Sequence, residues 1–284
     1  MSHHNSNGGL PSSSELPALS LSILNVEPLD EFIREVADFI HHMISQRPKD
    51  LEGSVEVEAK VGLLVDKHTG MRLQLPVLTE TILAPNSIEC RFESNMSAQQ
   101  HKHYNKLLNR LLEESSSKIG YGHLYLKDTF YDSGGRGGEK VRVTKDEKTN
   151  SVLACTRKIR LGDLNIYSPK RPADWRISVN FEVPVPHPTG TSTHTRRKDR
   201  ISYTHEEFAI DLTQVSTSNS PSQSTLSHEL EIEISRPEYL VDAAYARDGS
   251  GSEEGAAYDE LIRAFVNNAR IMVRNADGGE GAWG

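Results

Sequence analysis

The sequence predicts a mainly β chain (α+β overall) closing as an eight-stranded antiparallel barrel with a hydrophilic interior and flanking helices. Two acidic strands and the basic strands between them predict it. Val55–Gly62 alternates apolar and charged residues, the period of a strand with two different faces. Val55, Val57, Ala59 and Val61 share one face, and Glu56, Glu58 and Lys60 the other. His228–Ile234 repeats the pattern with Glu229, Glu231 and Glu233 on one face. A wet strand edge explains either stretch alone, but acidic rows at both ends of the chain need a common object to face. About eight or more short strands with turn signals between them, and few helices, indicate a closed barrel.

The elements follow in order. Residues 1 to about 20, rich in Ser, Asn, Gly and Pro, read as disordered or loosely ordered; the segment is bounded at 1–25, ahead of a folded domain at 26–275 and a flexible tail at 276–284. Leu29–Ile44 carries apolar residues at helical spacing, with Asp30 and Glu31 where the helix dipole favours acids and Pro48 as the stop. His41 and His42 are expected on its surface. After the Glu56 strand, Met71–Leu83 reads as a strand around Pro76, and Ile88–Glu93 as another. Ser97 and Gln100 form a capping box for a helix through Leu112. Tyr121–Tyr131, a glycine-rich turn at Gly134–Gly138, Val141–Thr144, Ala154–Leu161, Arg176–Val183, Arg196–Tyr203, Phe208–Thr213 and Glu229–Ile234 complete the strands. Pro184–Thr195, Gln214–Ser227 and Arg247–Gly255 read as loops, the first two long and mobile. A last helix carries Leu261, Ile262, Phe265, Val266, Ala269 and Val273.

Composition narrows the function. The chain has 284 residues, is 36% hydrophobic and 25% charged, and carries a net charge of −8. Such an acid balance argues against gripping long nucleic acid by its phosphates, yet leaves open recognition of one phosphorylated end. Cys90 and Cys155 make neither a metal pair nor a disulfide framework and read as buried free thiols. No apolar run reaches membrane-spanning length and no convincing signal peptide opens the chain, so it reads as intracellular, with no membrane partner.

Sorting the strands by face gives the candidate site. Arg142 opposes Val141 and Val143; Lys158 and Arg160 oppose Ile159 and Leu161; Glu182 opposes Phe181 and Val183. Arg196, Lys198 and Arg200 align, and Asp211 opposes Ile210 and Leu212. If the apolar faces pack outward, the charged faces point in and line a hydrophilic tunnel. Its wall then offers Glu56, Glu58, Lys60, Arg142, Lys158, Glu182, Arg196, Lys198, Arg200, Asp211, Glu229, Glu231 and Glu233. Carboxylates two apart on a strand, roughly 6.5–7 Å, can lean onto one hard cation. A bound polyanion together with a divalent metal would satisfy both sets of charge. A sheet with a simply wet polar face, or a nuclear-import or nucleic-acid patch at Arg196–Arg200, are the competing readings.

At Val55–Gly62, Arg176–Glu182, Arg196–Tyr203 and His228–Ile234, with Arg91–Ser94 and the helix after it, the sequence resembles the fungal mRNA-capping RNA 5′-triphosphatases among the triphosphate tunnel metalloenzymes. The resemblance implies a metal-dependent enzyme, localised in the nucleus, that removes the γ-phosphate from the 5′-triphosphate end of nascent pre-mRNA. It implies that Glu56, Glu58 and Glu233 bind Mg2+ or Mn2+. Arg142, Lys158, Lys198 and Arg200 hold the triphosphate, and Lys60, on the face of the two glutamates, is counted with them. Glu182 orients or deprotonates the attacking water, Glu231 and Asp211 hold metal-bound waters, Glu229 supports the basic wall, and Arg196 stands nearby. Homodimers are also implied. Some members carry a Trp-flanked peptide that docks the guanylyltransferase; the tryptophans here are Trp175 and Trp283. That puts direct guanylyltransferase binding in doubt and leaves recruitment by the RNA polymerase II tail. Glu56-x-Glu58-x-Lys60 is also the pattern of CYTH-type phosphohydrolases acting on tripolyphosphate, thiamine triphosphate or nucleoside triphosphates. A non-catalytic polyphosphate-binding module is a further alternative; a calcium-dependent lectin leaves the basic rows unexplained.

Overall fold

The computed structural model describes residues 19–28, 30–114, 118–132, 140–220, 223–247 and 253–276. Met1–Glu31 and Phe32–Gly284 are separate units. Expectations for residues 1–18, Leu29, the Gly134–Gly138 turn, most of the Arg247–Gly255 loop and the 277–284 tail lie outside the described residues.

Alternating sequence produces the expected strands, and their ends are longer than the alternation. They are β1 (Ser54–Asp66), β2 (Thr81–Leu83), β3 (Cys90–Glu93), β4 (Gly120–Asp132), β5 (Lys140–Asp146), β6 (Val152–Tyr167), β7 (Asp174–Pro184), β8 (Ser192–His205), β9 (Phe208–Ser220) and β10 (Gln223–Ile234). The order β10-β9-β8-β4-β5-β6-β7-β1 is closed by antiparallel pairing of β1 with β10, Glu58 opposite Glu233 and Lys60 opposite Glu231. Those eight strands form the barrel. β2 pairs with β6 and β3 with β1 outside the ring.

The apolar faces point outward, as the alternation requires. Val57, Ala59 and Val61 of β1, Ile177 and Val179 of β7 and Leu230 and Ile232 of β10 are all fully buried. They share one hydrophobic core with α1 (Glu31–Ser45), α2 (Ala98–Glu114), α3 (Pro237–Arg247) and α4 (Glu253–Arg274). The core therefore lies between helices and barrel wall, and the barrel's interior is left to polar side chains. Gly162 in β6 marks how closely α1 approaches: a Cβ there would meet Met43 Sδ at 2.5 Å.

Several expectations are corrected. Met71–Leu83 is not one strand; Thr81–Leu83 is β2, and Arg72 makes only an isolated bridge to Val65. Gln214–Ser227 is not a loop but the paired ends of β9 and β10, with Ser216 opposite Leu226 and Thr217 opposite Thr225. Backbone ladders hold that ribbon, so its Ser/Thr-rich side chains show no alternation. The loop before β8 shrinks to 185–191. α3 carried no periodic apolar signal because small residues, Ala243 and Ala244, fill its buried face beside Leu240; Pro237 opens it at a position where a missing N–H costs nothing. Of the capping box, only half forms: Gln100 N donates to Ser97 Oγ at 3.1 Å. The Gln100 side chain is fully buried instead, with no hydrogen-bond partner among the described residues. His42 is exposed as expected, whereas His41 is half-buried with its ring 6.1 Å from Tyr258. Cys90 and Cys155 are free and half-buried, not fully enclosed.

One buried ionic clamp ties the strand ends. Asp174, with no exposed surface, accepts from Leu64 N and Ser168 N at 3.0 Å and from Arg72 Nε at 2.9 Å and Nη2 at 2.6 Å. Arg72 also donates to the Arg171 and Ser168 carbonyls. Removing one partner of such a pair leaves an uncompensated charge, at a cost of about 3 kcal/mol or more. Asp174→Ala should lower the thermal midpoint by roughly 6–12 °C; a fall within measurement error would show that the clamp contributes nothing.

Candidate functional site

Because side chains alternate along each strand, closure turns every charged row inward at once. Lys60 Nζ donates to Glu231 Oε1 at 2.5 Å and lies 3.3 Å from Glu58. Lys158 pairs with Glu56 and lies 3.4 Å from Glu58. Arg142 Nη2 meets Glu182 Oε1 at 2.7 Å, and Arg196 Nη2 meets Glu229 Oε1 at 2.7 Å. Arg200 reaches Asp211 at 2.6 Å and Glu231 at 3.1 Å, and its Nε donates to Thr213 Oγ1 at 3.1 Å. Lys198 Nζ pairs with Asp128, so every wall residue expected from the strand faces has an ionic partner except Glu233. Glu233 makes no ion pair or hydrogen bond with the described residues.

Electrostatics separates the members. Burial raises the Glu233 carboxyl, and Glu56, Glu58, Asp211 and Glu231 push it further, to about 8. Burial also lifts Glu58 above its ordinary value despite Lys60 and Lys158, with Glu231 and Glu56 adding to the rise. Glu231 goes the other way: burial alone would raise it, but Lys60 and Arg200 hold it well below the usual carboxylate range. Burial pulls the Lys198 ammonium down, against the attraction of Asp128.

The sequence reading missed Asp128, Asn180 and Thr144. Asp128 is 1% exposed, lies 2.6 Å from Lys198 Nζ, and accepts from Thr144 Oγ1 at 2.7 Å. Leu124, Leu126 and Phe130 share its face of β4, so no charged row announced it. Asn180 Nδ2 donates to Glu56 Oε2 at 2.9 Å and Glu58 Oε1 at 3.3 Å. It lies on the polar face of β7 between Ser178 and Glu182, which was a usable signal.

The donor set suits a hard cation. Glu56, Glu58 and Glu233 supply only carboxylate oxygens, the chemistry magnesium and manganese take. No group of three acids among the described residues is drawn together as a ready-made metal cluster; Glu56 and Glu58 lean instead on Lys158 and Asn180. Yet Glu56 and Glu58 are near enough to Glu233 to raise its proton affinity, and the attraction of Arg200 does not reverse the rise. The opposite wall carries the converse deficit. Arg142 Nε and Thr156 Oγ1, cross-strand neighbours, are buried without a hydrogen-bond partner among the described residues. One unpaired acid, Glu233, on one wall and unsatisfied donors on the other leave the barrel's interior with polar demands of both kinds.

The comparisons agree. Residues 26–277 match the family model described as "mRNA capping enzyme, beta chain", and the chain belongs to that family. It is 35% identical to the mRNA-capping enzyme subunit beta of Schizosaccharomyces pombe, over 91% of this chain and 86% of that protein. It is 32% identical to the corresponding subunit of Cryptococcus neoformans, over 90% of this chain and 64% of that longer protein. Among solved structures it is similar to the S. pombe Pct1 RNA triphosphatase, here in complex with the Spt5 CTD, at a TM-score of 0.81 and 36% identity, covering 91% of this chain and 99% of that one.

A buried carboxylate cluster short of a cation makes a direct prediction. Glu233→Gln removes the repulsion and should raise the metal-free thermal midpoint by a few degrees. Magnesium or manganese should stabilise the parent chain by mass action and the variant much less. Equal stabilisation of both chains would place the cation elsewhere.

Proposed function

We infer that this protein is an RNA 5′-triphosphatase of mRNA capping, hydrolysing the γ-phosphate of a 5′-triphosphate RNA end to leave a 5′-diphosphate. The observation that carries the reading is the convergence of acidic and basic rows inside a closed barrel, in a chain belonging to the capping-enzyme β family. Residues 26–275 form the catalytic domain. Glu56, Glu58 and Glu233 hold a divalent cation, Mg2+ or Mn2+. That ion, when bound, neutralises charge on the γ-phosphate oxygens.

The chain's own residues then position and stabilise. Phosphoryl transfer spreads charge over the equatorial oxygens, so catalysis is mainly orientation and electrostatics. Arg142 and Arg200 offer planar forks to the phosphates, and Lys158 and Lys198 point charges. Each is already held by a carboxylate: Arg142 by Glu182, Lys158 by Glu56 and Glu58, Lys198 by Asp128, Arg200 by Asp211 and Glu231. These pairs keep the cations placed before substrate arrives, so little reorganisation is needed. Lys60, between Glu58 and Glu231, completes the basic set. Glu182 accepts the proton of, or orients, a water attacking in line. Glu231 and Asp211 would hold water beside the carboxylates that take the cation, and Glu229 holds Arg196 in the wall.

The cellular setting follows the same reading. The protein acts in the nucleus, as a homodimer, on the ends of nascent transcripts. A polymerase-associated tail recruits it, in keeping with the Spt5 CTD bound by the S. pombe relative. No helix among the described residues is long and apolar enough to cross a membrane.

Rates on γ-labelled triphosphate RNA, tripolyphosphate and nucleoside triphosphates test the reading. The expected result is a diphosphate RNA end at a kcat/KM above that of either small substrate. Turnover of tripolyphosphate without RNA turnover would reassign the chain to a CYTH-type activity. End recognition also predicts a shallow salt dependence of RNA binding; a slope matching six or more phosphates would contradict it.

A further inference from the structure

Resting on the RNA-end reading, we propose that Phe130 and His194 form a nucleobase-stacking site at one mouth of the tunnel, where the first transcribed base docks. The observation is a parallel ring pair on the inner wall. The Phe130 and His194 centroids are 4.3 Å apart with 4° between their planes. Phe130 lies on the face of β4 that carries Asp128, and His194 on the face of β8 that carries Arg196 and Lys198. The register sets Phe130 opposite both His194 and Arg142. The aromatic pair is thus one step along the same wall from the cations that take phosphate.

Topology sets which end of the substrate reaches it. Strands alternate around the ring, so the start of β1 and the ends of β7 and β10 lie toward one mouth. The end of β4 and the starts of β5 and β8 lie toward the other. Glu56, Glu182 and Glu233 belong to the first mouth; Phe130, His194 and Lys140 belong to the second. A polyanionic chain enters more readily where the wall is cationic than where carboxylates crowd. Burial, together with the charges of Lys140 and Arg196, holds the His194 imidazole below its ordinary proton affinity. Thr193 Oγ1, 3.0 Å from His194 Nδ1 and 3.2 Å from the Phe130 carbonyl, steadies the pair. Both rings are half-buried, leaving part of the stack accessible. With the γ-phosphate leading toward the carboxylates, the nucleoside trails toward the rings. Stacking tolerates any base, which suits an enzyme that meets every transcript.

The simpler reading is that the rings only close the wall, and the test separates the two. Phe130→Leu and His194→Leu retain apolar volume without a ring; Phe130→Trp enlarges the ring. Steady-state kinetics is measured on triphosphate-ended RNA and on tripolyphosphate, which has no base. The expected result is a KM for RNA raised about tenfold in each leucine variant, within the range a lost stacking contact gives. Tripolyphosphate kinetics should stay within twofold, and Phe130→Trp should retain the parent's KM. Equal losses on both substrates, or an RNA KM that does not move, would overturn the stacking site while leaving the triphosphatase reading intact. A parent chain that turns over tripolyphosphate but no RNA end would overturn the triphosphatase reading, and the stacking site with it.

Discussion

Everything in this molecule depends on enclosing charge of both signs inside a closed barrel. A buried charge with no partner is costly, and a pair repays that cost only when geometry and further hydrogen bonds are good. The tunnel meets this condition nearly everywhere by crossing the strands: Lys158 of β6 to Glu56 of β1, Arg142 of β5 to Glu182 of β7, Lys60 of β1 to Glu231 of β10. Among the described residues it falls short at Glu233, at the Arg142 and Thr156 donors and at one oxygen of Asp211. The protein bears that imbalance where an incoming cation and polyanion would relieve it.

The same constraint explains the placement of the core. A barrel whose interior is polar has to find its apolar packing outside, so β1, β7 and β10 show their Val and Ile faces to α4, joined by α3 on β1 and α2 on β10. The helices are thus part of what stabilises the tunnel rather than ornaments on it. Closure between β1 and β10 is short, Glu58 to Lys60 against Glu231 to Glu233. Those are the residues of the carboxylate cluster, so the seam of the barrel and the candidate cation site coincide.

How much of this was legible depended on whether a residue belonged to a row. Strict alternation in β1, β7 and β10 revealed both the strands and their faces, and hence the members of the inner wall. Partners were not legible, because the contact of Lys158 with Glu56 comes from the register of β6 and β1 on either side of β7. Asp128 was hidden among Leu124, Leu126 and Phe130, where a single polar residue on an apolar row carries no periodic signal. The ends of β9 and β10 were hidden for the opposite reason: polar side chains on both faces look like a loop, although the backbone ladder continues. α3 escaped notice because alanines, not large apolar residues, cover its buried side.

The central claim is that acids distant in sequence act as one site across the β1–β10 seam. Phosphate release from γ-labelled triphosphate RNA with magnesium tests it most directly, for the parent chain and for Glu56→Ala and Glu233→Ala. A single shared site predicts a loss of several orders of magnitude in both variants, with folding retained. Robust turnover by either variant would mean that the two acidic rows do not converge on the chemistry.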